Sequence, residues 1–319
     1  MKKIAVLTSG GDAPGMNACL ANLFELCKRF NYRLICFRQG YIGLIDNDFV
    51  ILKEHDIENI YSLGGSIIKT GRSKEFLTKE GQLKAIETLK INDIDTLIVI
   101  GGNGSYRGAQ DLEKLGVKVI AIPGTIDNDL NYSTRSLGFD TAVNNSVSAI
   151  DKIKDTMSAN NRGVVIEVMG RNSGDIALYS AVASNANAIV VKEVPESKNE
   201  IIGSVERAIK RGVTSPTVVV AENILDSAKL AETLEAKTGI TFKTTVLGYI
   251  QRGGNPTVFD RNFAMQLAVK SIELIEVGKH NIAIGMKNGK IHCENLDKVL
   301  TEKTNFNFEL YDLFKKLNS

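Results

Sequence analysis

Residues 4–17 read Ile4-Ala5-Val6-Leu7-Thr8-Ser9-Gly10-Gly11-Asp12-Ala13-Pro14-Gly15-Met16-Asn17. Four apolar residues make a short strand, a glycine-rich stretch turns the chain, and a helix follows. Glycines at such a turn let backbone approach a ligand closely, and the free N–H groups at a helix start favour phosphate. The same junction recurs at Ile100-Gly101-Gly102-Asn103-Gly104-Ser105. One such junction alone is often no more than a tight turn; two after parallel strands point to phosphate. Neither is a P-loop, because no G-x-x-x-x-G-K-[ST] occurs. Gly102-Asn103-Gly104 followed by Gly108 misses the dinucleotide fingerprint by one residue, which argues against a nicotinamide-dependent dehydrogenase.

Outward from these loops, short β-branched runs alternate with amphipathic stretches. Ile4–Leu7, Leu34–Phe37, Leu97–Ile100, Val117–Ile122, Val164–Val168, Ala188–Val191, Val218–Ala221 and Ile282–Gly285 read as buried parallel strands. Glu80–Lys90, Ala142–Met157, Lys198–Arg211 and Asn262–Gly278 read as helices between them. The expected fold class is α/β, two doubly wound, mostly parallel-sheet domains with helices on both faces. A soft border near 138 divides residues 1–138 from 139–319, with the chain crossing between them again near the C-terminus. In such sheets ligands bind beyond the carboxyl ends of the strands.

The 319 residues are 43% hydrophobic and 24% charged, with a net charge of +2. That balance gives no electrostatic case for nucleic acid or an anionic membrane, so neither is an expected partner. The apolar run at the start is too short for a signal peptide, and no stretch nears the roughly 20 apolar residues of a membrane span. The four cysteines (Cys19, Cys27, Cys36, Cys293) contain no C-x-x-C pair and read as free thiols, which suits a cytoplasmic protein.

Pro123-Gly124-Thr125-Ile126-Asp127-Asn128-Asp129 places two carboxylates two residues apart after a strand. This pattern suits proton abstraction beside a phosphoryl acceptor, and equally suits a turn built on Asx side-chain bonds. Together, Thr8–Asn17 (TSGGDAPGMN), Gly101–Ser105 (GGNGS), Pro123–Asp129 (PGTIDND), Glu167–Arg171 (EVMGR) and Gly248–Gly254 (GYIQRGG) resemble the signature segments of the bacterial ATP-dependent 6-phosphofructokinase family, in order and spacing. The resemblance covers essentially the whole chain.

The resemblance implies ATP-dependent phosphorylation of fructose 6-phosphate at its 1-hydroxyl, in glycolysis. Asp127 would be the base, Thr125 would sit beside the transferring group, and Asp129 would shape the local charge. Arg72 and Arg171 would complete the catalytic set, since a guanidinium can span two phosphate oxygens. Gly11, Tyr41, Arg72, Ser73, Gly102, Asn103, Gly104, Ser105 and Gly108 would hold ATP. The sugar phosphate would meet Thr125, Ile126, Asp127, Met169, Gly170, Arg171, Glu222, Tyr249, Ile250, Gln251 and Arg252. Arg162 and Lys243 would reach in from a neighbouring subunit, which implies a homotetramer with shared sites. Gly104 and Gly124 favour ATP, since pyrophosphate-using relatives carry Asp and Lys there.

Several positions depart from the family pattern. Asn103 stands where an Asp would engage Mg²⁺, which weakens the implied metal site. Lys243 replaces an Arg, and Tyr249 a His. At the implied effector site, Ala21, Glu25 and Glu54 replace arginines, Asn187 a Glu and Val213 a Lys, leaving Lys154 and Arg211 cationic. Little or no response to ADP or phosphoenolpyruvate is therefore expected. Two other readings stay open: a catalytically weakened paralogue that binds nucleotide or sugar phosphate, and a kinase for tagatose 6-phosphate or sedoheptulose 7-phosphate.

Overall fold

A computed structural model describes residues 1–301 and 306–318. Eleven strands occur among them: β1 (Lys3–Ser9), β2 (Arg33–Phe37), β3 (Phe49–Val50), β4 (Thr96–Gly101), β5 (Val119–Pro123), β6 (Gly163–Val168), β7 (Ala188–Val190), β8 (Thr217–Ala221), β9 (Phe242–Val246), β10 (Ile282–Lys287) and β11 (Lys290–Asn295). They form a seven-stranded sheet in the order β11-β10-β5-β4-β1-β2-β3 and a four-stranded sheet in the order β7-β8-β6-β9. All pairings are parallel except β2 with β3 and β10 with β11, both at the edges of the larger sheet.

The chain divides into two compact units. Met1–Thr141 packs with the segment that begins at Arg252, and Ala142–Gln251 packs with the segment that begins at Phe306. A single border near 138 would give the stretch from Arg252 to the second unit. It belongs to the first, because β10 lies beside β5, with Ile282 opposite Ile120 and Ala283 opposite Ala121. The helix Phe139–Ser158 contains the first division, and its predicted span of Ala142–Met157 lies inside it.

Each unit has its own core. In the first, Ala5 and Leu7 of β1, Leu97 and Val99 of β4, and Phe37 pack with Tyr106 and Leu112 of the helix Asn103–Lys114. In the second, Val165, Val190, Val218 and Val220 pack with Ile201, Val205, Leu230 and Leu234. Strands buried on both faces read as continuous apolar runs, which is why these were recognisable.

Register fixes where the loops emerge. Ser9 lies opposite Gly101, and Gly101 opposite Pro123, so β1, β4 and β5 end together. In the second unit Val168 lies opposite Ala221 and Glu167 opposite Val246. The unusual residues of the sequence follow these two sets of ends. Among the described residues no helix is long and apolar enough to cross a membrane. The cysteines are free; Cys19, Cys27 and Cys36 are buried, and burial pushes the Cys19 and Cys27 thiols up to about 12.

Candidate active site

In the first unit, the β1 turn is fastened to the segment before Arg72. Gly10 N donates to Gly71 O at 3.2 Å, and Thr8 Oγ1 donates to Lys69 O at 2.8 Å. Asn17 holds the approach to that segment from the other side. Its Nδ2 donates to Gly64 O at 3.0 Å, and its Oδ1 accepts from Ile67 N at 2.8 Å. Arg72 itself is exposed, while Ser73 Oγ accepts from Phe76 N at 3.1 Å. Asn17 entered the sequence argument only as the end of a motif; a buried amide in a helix's first turn is the signal that marks it.

The second glycine loop opens the helix Asn103–Lys114, whose N-cap Gly102 brings no side-chain cap. The first-turn amides of that helix therefore have no side-chain cap, and the helix dipole there favours an anion. Tyr41, expected near the nucleotide, is buried: its ring stacks on Phe76 at 4.0 Å between centroids, and its hydroxyl donates to Ser105 O at 2.7 Å. Gly108 lies against the same two rings, where a Cβ would meet Tyr41 Cζ at 2.8 Å. Both residues brace the loop from behind.

The β5 loop meets the second glycine loop directly. Gly124 N donates to Gly101 O at 3.0 Å, and Asn103 Nδ2 donates to Asp129 O at 3.1 Å. A Cβ on Gly102 would stand 3.4 Å from Thr125 Cβ. Thr125 Oγ1 accepts from Asp127 N at 3.2 Å, and Thr125 O accepts from Ser136 Oγ at 2.7 Å. Asn128 has a φ of 54° and sits with its Oδ1 3.2 Å from Ser136 Oγ. The side-chain turn bond in this loop comes from the Thr125 hydroxyl, not from an Asp or Asn side chain. Ile126 is buried, so its side chain is packing.

Arg252, expected among the sugar contacts, lies on the first glycine loop. Its Nη2 donates to Asp12 O at 2.8 Å and its Nε stands 3.5 Å from Asp12 Oδ1. A Cβ on Gly11 would fall 1.9 Å from that Nη2, so any side chain at 11 would have to displace the guanidinium.

In the second unit, Glu222 organises the EVMGR turn. Its Oε1 accepts from Gly170 N at 3.2 Å and Arg171 N at 2.7 Å, which leaves the exposed Arg171 side chain projecting. Gly170 has a φ of 149°, and a Cβ there would stand 2.3 Å from Ser173 O. Gln251, expected to touch the sugar, is fully buried and engaged. Its Oε1 accepts from Met169 N and from Ser146 Oγ, both at 3.1 Å, and its Nε2 donates to Gly248 O at 2.9 Å. It supports the loops instead of facing a ligand. Arg162, Lys243, Tyr249 and Ile250 are exposed, Tyr249 by 81%.

Of the effector positions, Ala21, Glu25 and Glu54 line one open cleft of about 770 Å³ in the first unit, together with Glu58 and His55. No lysine or arginine lines it, and Glu54 is ion-paired with Lys28. In the second unit Asn187 Oδ1 accepts from Thr217 N at 2.8 Å, and Lys154 Nζ donates to Ser184 O.

Among the described residues no group of three His, Cys, Asp or Glu side chains is poised to hold a metal. Because a carbonyl only accepts, the Asn103 atom facing Asp129 O is the NH₂, which leaves the amide oxygen for a cation. The two loops carry a set of hard oxygens: that one, the Thr125 hydroxyl and the carboxylates of Asp127 and Asp129. It fits a Mg²⁺ that takes most of its ligands from phosphate and water.

Comparison with known proteins identifies the family. The model of the phosphofructokinase family matches residues 3–275. The chain is 43% identical over 318 residues to the ATP-dependent 6-phosphofructokinase of Clostridium acetobutylicum, covering 100% of both chains. Identity to the Finegoldia magna enzyme of the same name is also 43% over 318 residues, covering 100% of each. Among solved structures, Pichia pastoris phosphofructokinase matches with a TM-score of 0.94 at 26% identity; all of this chain is covered, and 42% of that one. A pyrophosphate-dependent phosphofructokinase from Marinobacter aquaeolei shares the fold, with a TM-score of 0.84 at 20% identity, over 97% of this chain and 86% of that one. With its site loops, register and full-length similarity in agreement, the chain belongs to the phosphofructokinase family.

Proposed function

We propose that this chain is an ATP-dependent 6-phosphofructokinase, which transfers the γ-phosphoryl group of ATP to the 1-hydroxyl of fructose 6-phosphate. The observation that carries the reading is the junction of two loops, where Asn103 Nδ2 reaches Asp129 O and Thr125 packs on Gly102. It sets the anion-favouring helix start beside the carboxylates. Full-length relatives named for this activity support it.

Asp127 takes the proton of the 1-hydroxyl as that oxygen bonds to the γ-phosphorus; the bond to the bridging oxygen breaks and ADP leaves. Such transfer depends on positioning and charge neutralisation more than on covalent help from the protein. Arg72 supplies an exposed cation toward the phosphates, and the amides opening the helix Asn103–Lys114 supply fixed donors. Arg171, aimed by Glu222, binds the sugar phosphate with Met169 and Gly170. Mg²⁺, held at the Asn103 amide oxygen, would neutralise phosphate charge. Arg162 and Lys243 serve a neighbouring subunit's sugar phosphate in a cytoplasmic homotetramer.

Coupled ADP release with fructose 6-phosphate and MgATP tests the reading. Asp127→Ala should lower turnover by about a hundredfold or more. Turnover of the parent no higher than that of Asp127→Ala would leave a binding protein in place of a kinase.

A further inference from the structure

A buried carboxylate needs compensating donors, and one in the first unit takes them from the start of another helix. Asp260, in the first turn of the helix Val258–Glu276, is 0% exposed. Its Oδ1 accepts from Gly138 N at 2.9 Å; its Oδ2 accepts from Thr141 N at 2.9 Å and Thr141 Oγ1 at 2.5 Å. Those amides belong to the start of the helix Phe139–Ser158, where N–H groups lack intrahelical partners. The capping is reciprocal. Thr257, the N-cap of the Asp260 helix, donates through its hydroxyl to Asp140 Oδ2 at 2.6 Å and through its N–H to Thr141 Oγ1 at 3.0 Å.

This knot grips the β5 loop at its far end. Just before Gly138, Leu137 N donates to Pro123 O at 2.8 Å, and Ser136 Oγ reaches Thr125 O and Asn128 Oδ1. Asp127 lies between those two anchors. The first glycine loop packs on the same point. A Cβ on Gly15 would stand 2.7 Å from Leu137 Cδ1 and 3.6 Å from Asp260 Cβ, and one on Gly138 2.8 Å from Ala13 Cβ. Three donors converge on one side chain, and a carboxylate accepts all three, whereas an amide offers a single oxygen.

We propose that Asp260 is a positioning residue for phosphoryl transfer: by capping Gly138 and Thr141 it holds the Thr125–Asp129 loop, and Asp127 with it, against the first glycine loop. The inference rests on the kinase reading for its catalytic consequence. Misplacing a reacting group by about 1 Å can lower turnover by roughly a hundredfold while leaving ligand contacts elsewhere intact. The loss should therefore fall on kcat more than on KM.

The experiment compares the full-length parent, Asp260→Asn, Thr141→Val and Thr141→Ser in ADP release and in hydrogen–deuterium exchange. Asp260→Asn should lower kcat by about tenfold or more, with KM for ATP and fructose 6-phosphate within about threefold. Exchange should rise in peptides covering 125–141 and stay unchanged in those covering 163–191. If Asp260→Asn does not fold, Thr141→Val carries the test through a roughly threefold to tenfold loss of kcat, which Thr141→Ser restores to within about twofold. Parent-like kcat in a folded Asp260→Asn or Thr141→Val would overturn the inference, as would unchanged exchange over 125–137. A parent without turnover defeats the kinase reading instead, and the exchange data alone then decide whether Asp260 holds the loop.

Discussion

Asn103 stands where the family resemblance implies an Asp, and its amide has a use of its own. The NH₂ that donates to Asp129 O ties two loops together, which a carboxylate could not do. Asn103→Asp trades that strut for charge. We expect the half-saturating Mg²⁺ concentration, titrated at fixed ATP, to fall about tenfold, with kcat at saturating Mg²⁺ little changed. A lower kcat at every Mg²⁺ level would mean that the strut matters more than the charge. Asp260 makes a separate prediction. Burial, with a smaller push from Asp140, raises its carboxyl to about 6, against an unfolded value near 3.9. The folded state therefore holds the proton more tightly, so the stability this group contributes is complete below about pH 4 and is lost as pH rises through about 6. Melting curves across that range should show the margin of the parent over Asp260→Asn narrowing with pH. A margin that widens would mean that the three donors outweigh desolvation.

The turn after β6 illustrates how a local backbone shape directs a side chain. Gly170 adopts a φ of 149° with no room for a Cβ, so that its N–H and that of Arg171 both reach Glu222. Gly170→Ala should raise the KM for fructose 6-phosphate about tenfold through a displaced Arg171, with KM for ATP unchanged, as steady-state kinetics would resolve. This turn was legible in the sequence, as were the interior strands, because buried parallel strands are unbroken apolar runs. The edges were not. β9 reads Phe242-Lys243-Thr244-Thr245-Val246 with four residues exposed or partly so, and β3 and β11 are polar or short; each is paired on one side only. The site divided along the same line. Asp127, Thr125 and Arg171 were proposed from motif alone, whereas Ser136 and Asp260 have meaning only through the groups that other parts of the chain bring to them. Gln251 and Arg252 sat in a recognised motif, yet one is buried support and the other lies on Asp12.

The acidic lining of the cleft at Glu25, Glu54 and Glu58 bears on how the protein responds to the cell. An anionic effector gains nothing from such a surface. The fructose 6-phosphate saturation curve should stay within about twofold of its half-saturation point on adding ADP or phosphoenolpyruvate. A sigmoidal curve shifted by phosphoenolpyruvate would contradict this. The discontinuous first unit has a consequence for biosynthesis. During synthesis all but the terminal helix of the second unit leaves the ribosome as one uninterrupted stretch, and domains generally fold as units. The first unit meanwhile has its glycine loops and Asp127 but lacks β10, Arg252 and Asp260. Its glycine loops lack these partners until the segment from Arg252 onward has been made, so a chain ended before it would carry the motifs of a kinase without these contacts to hold them.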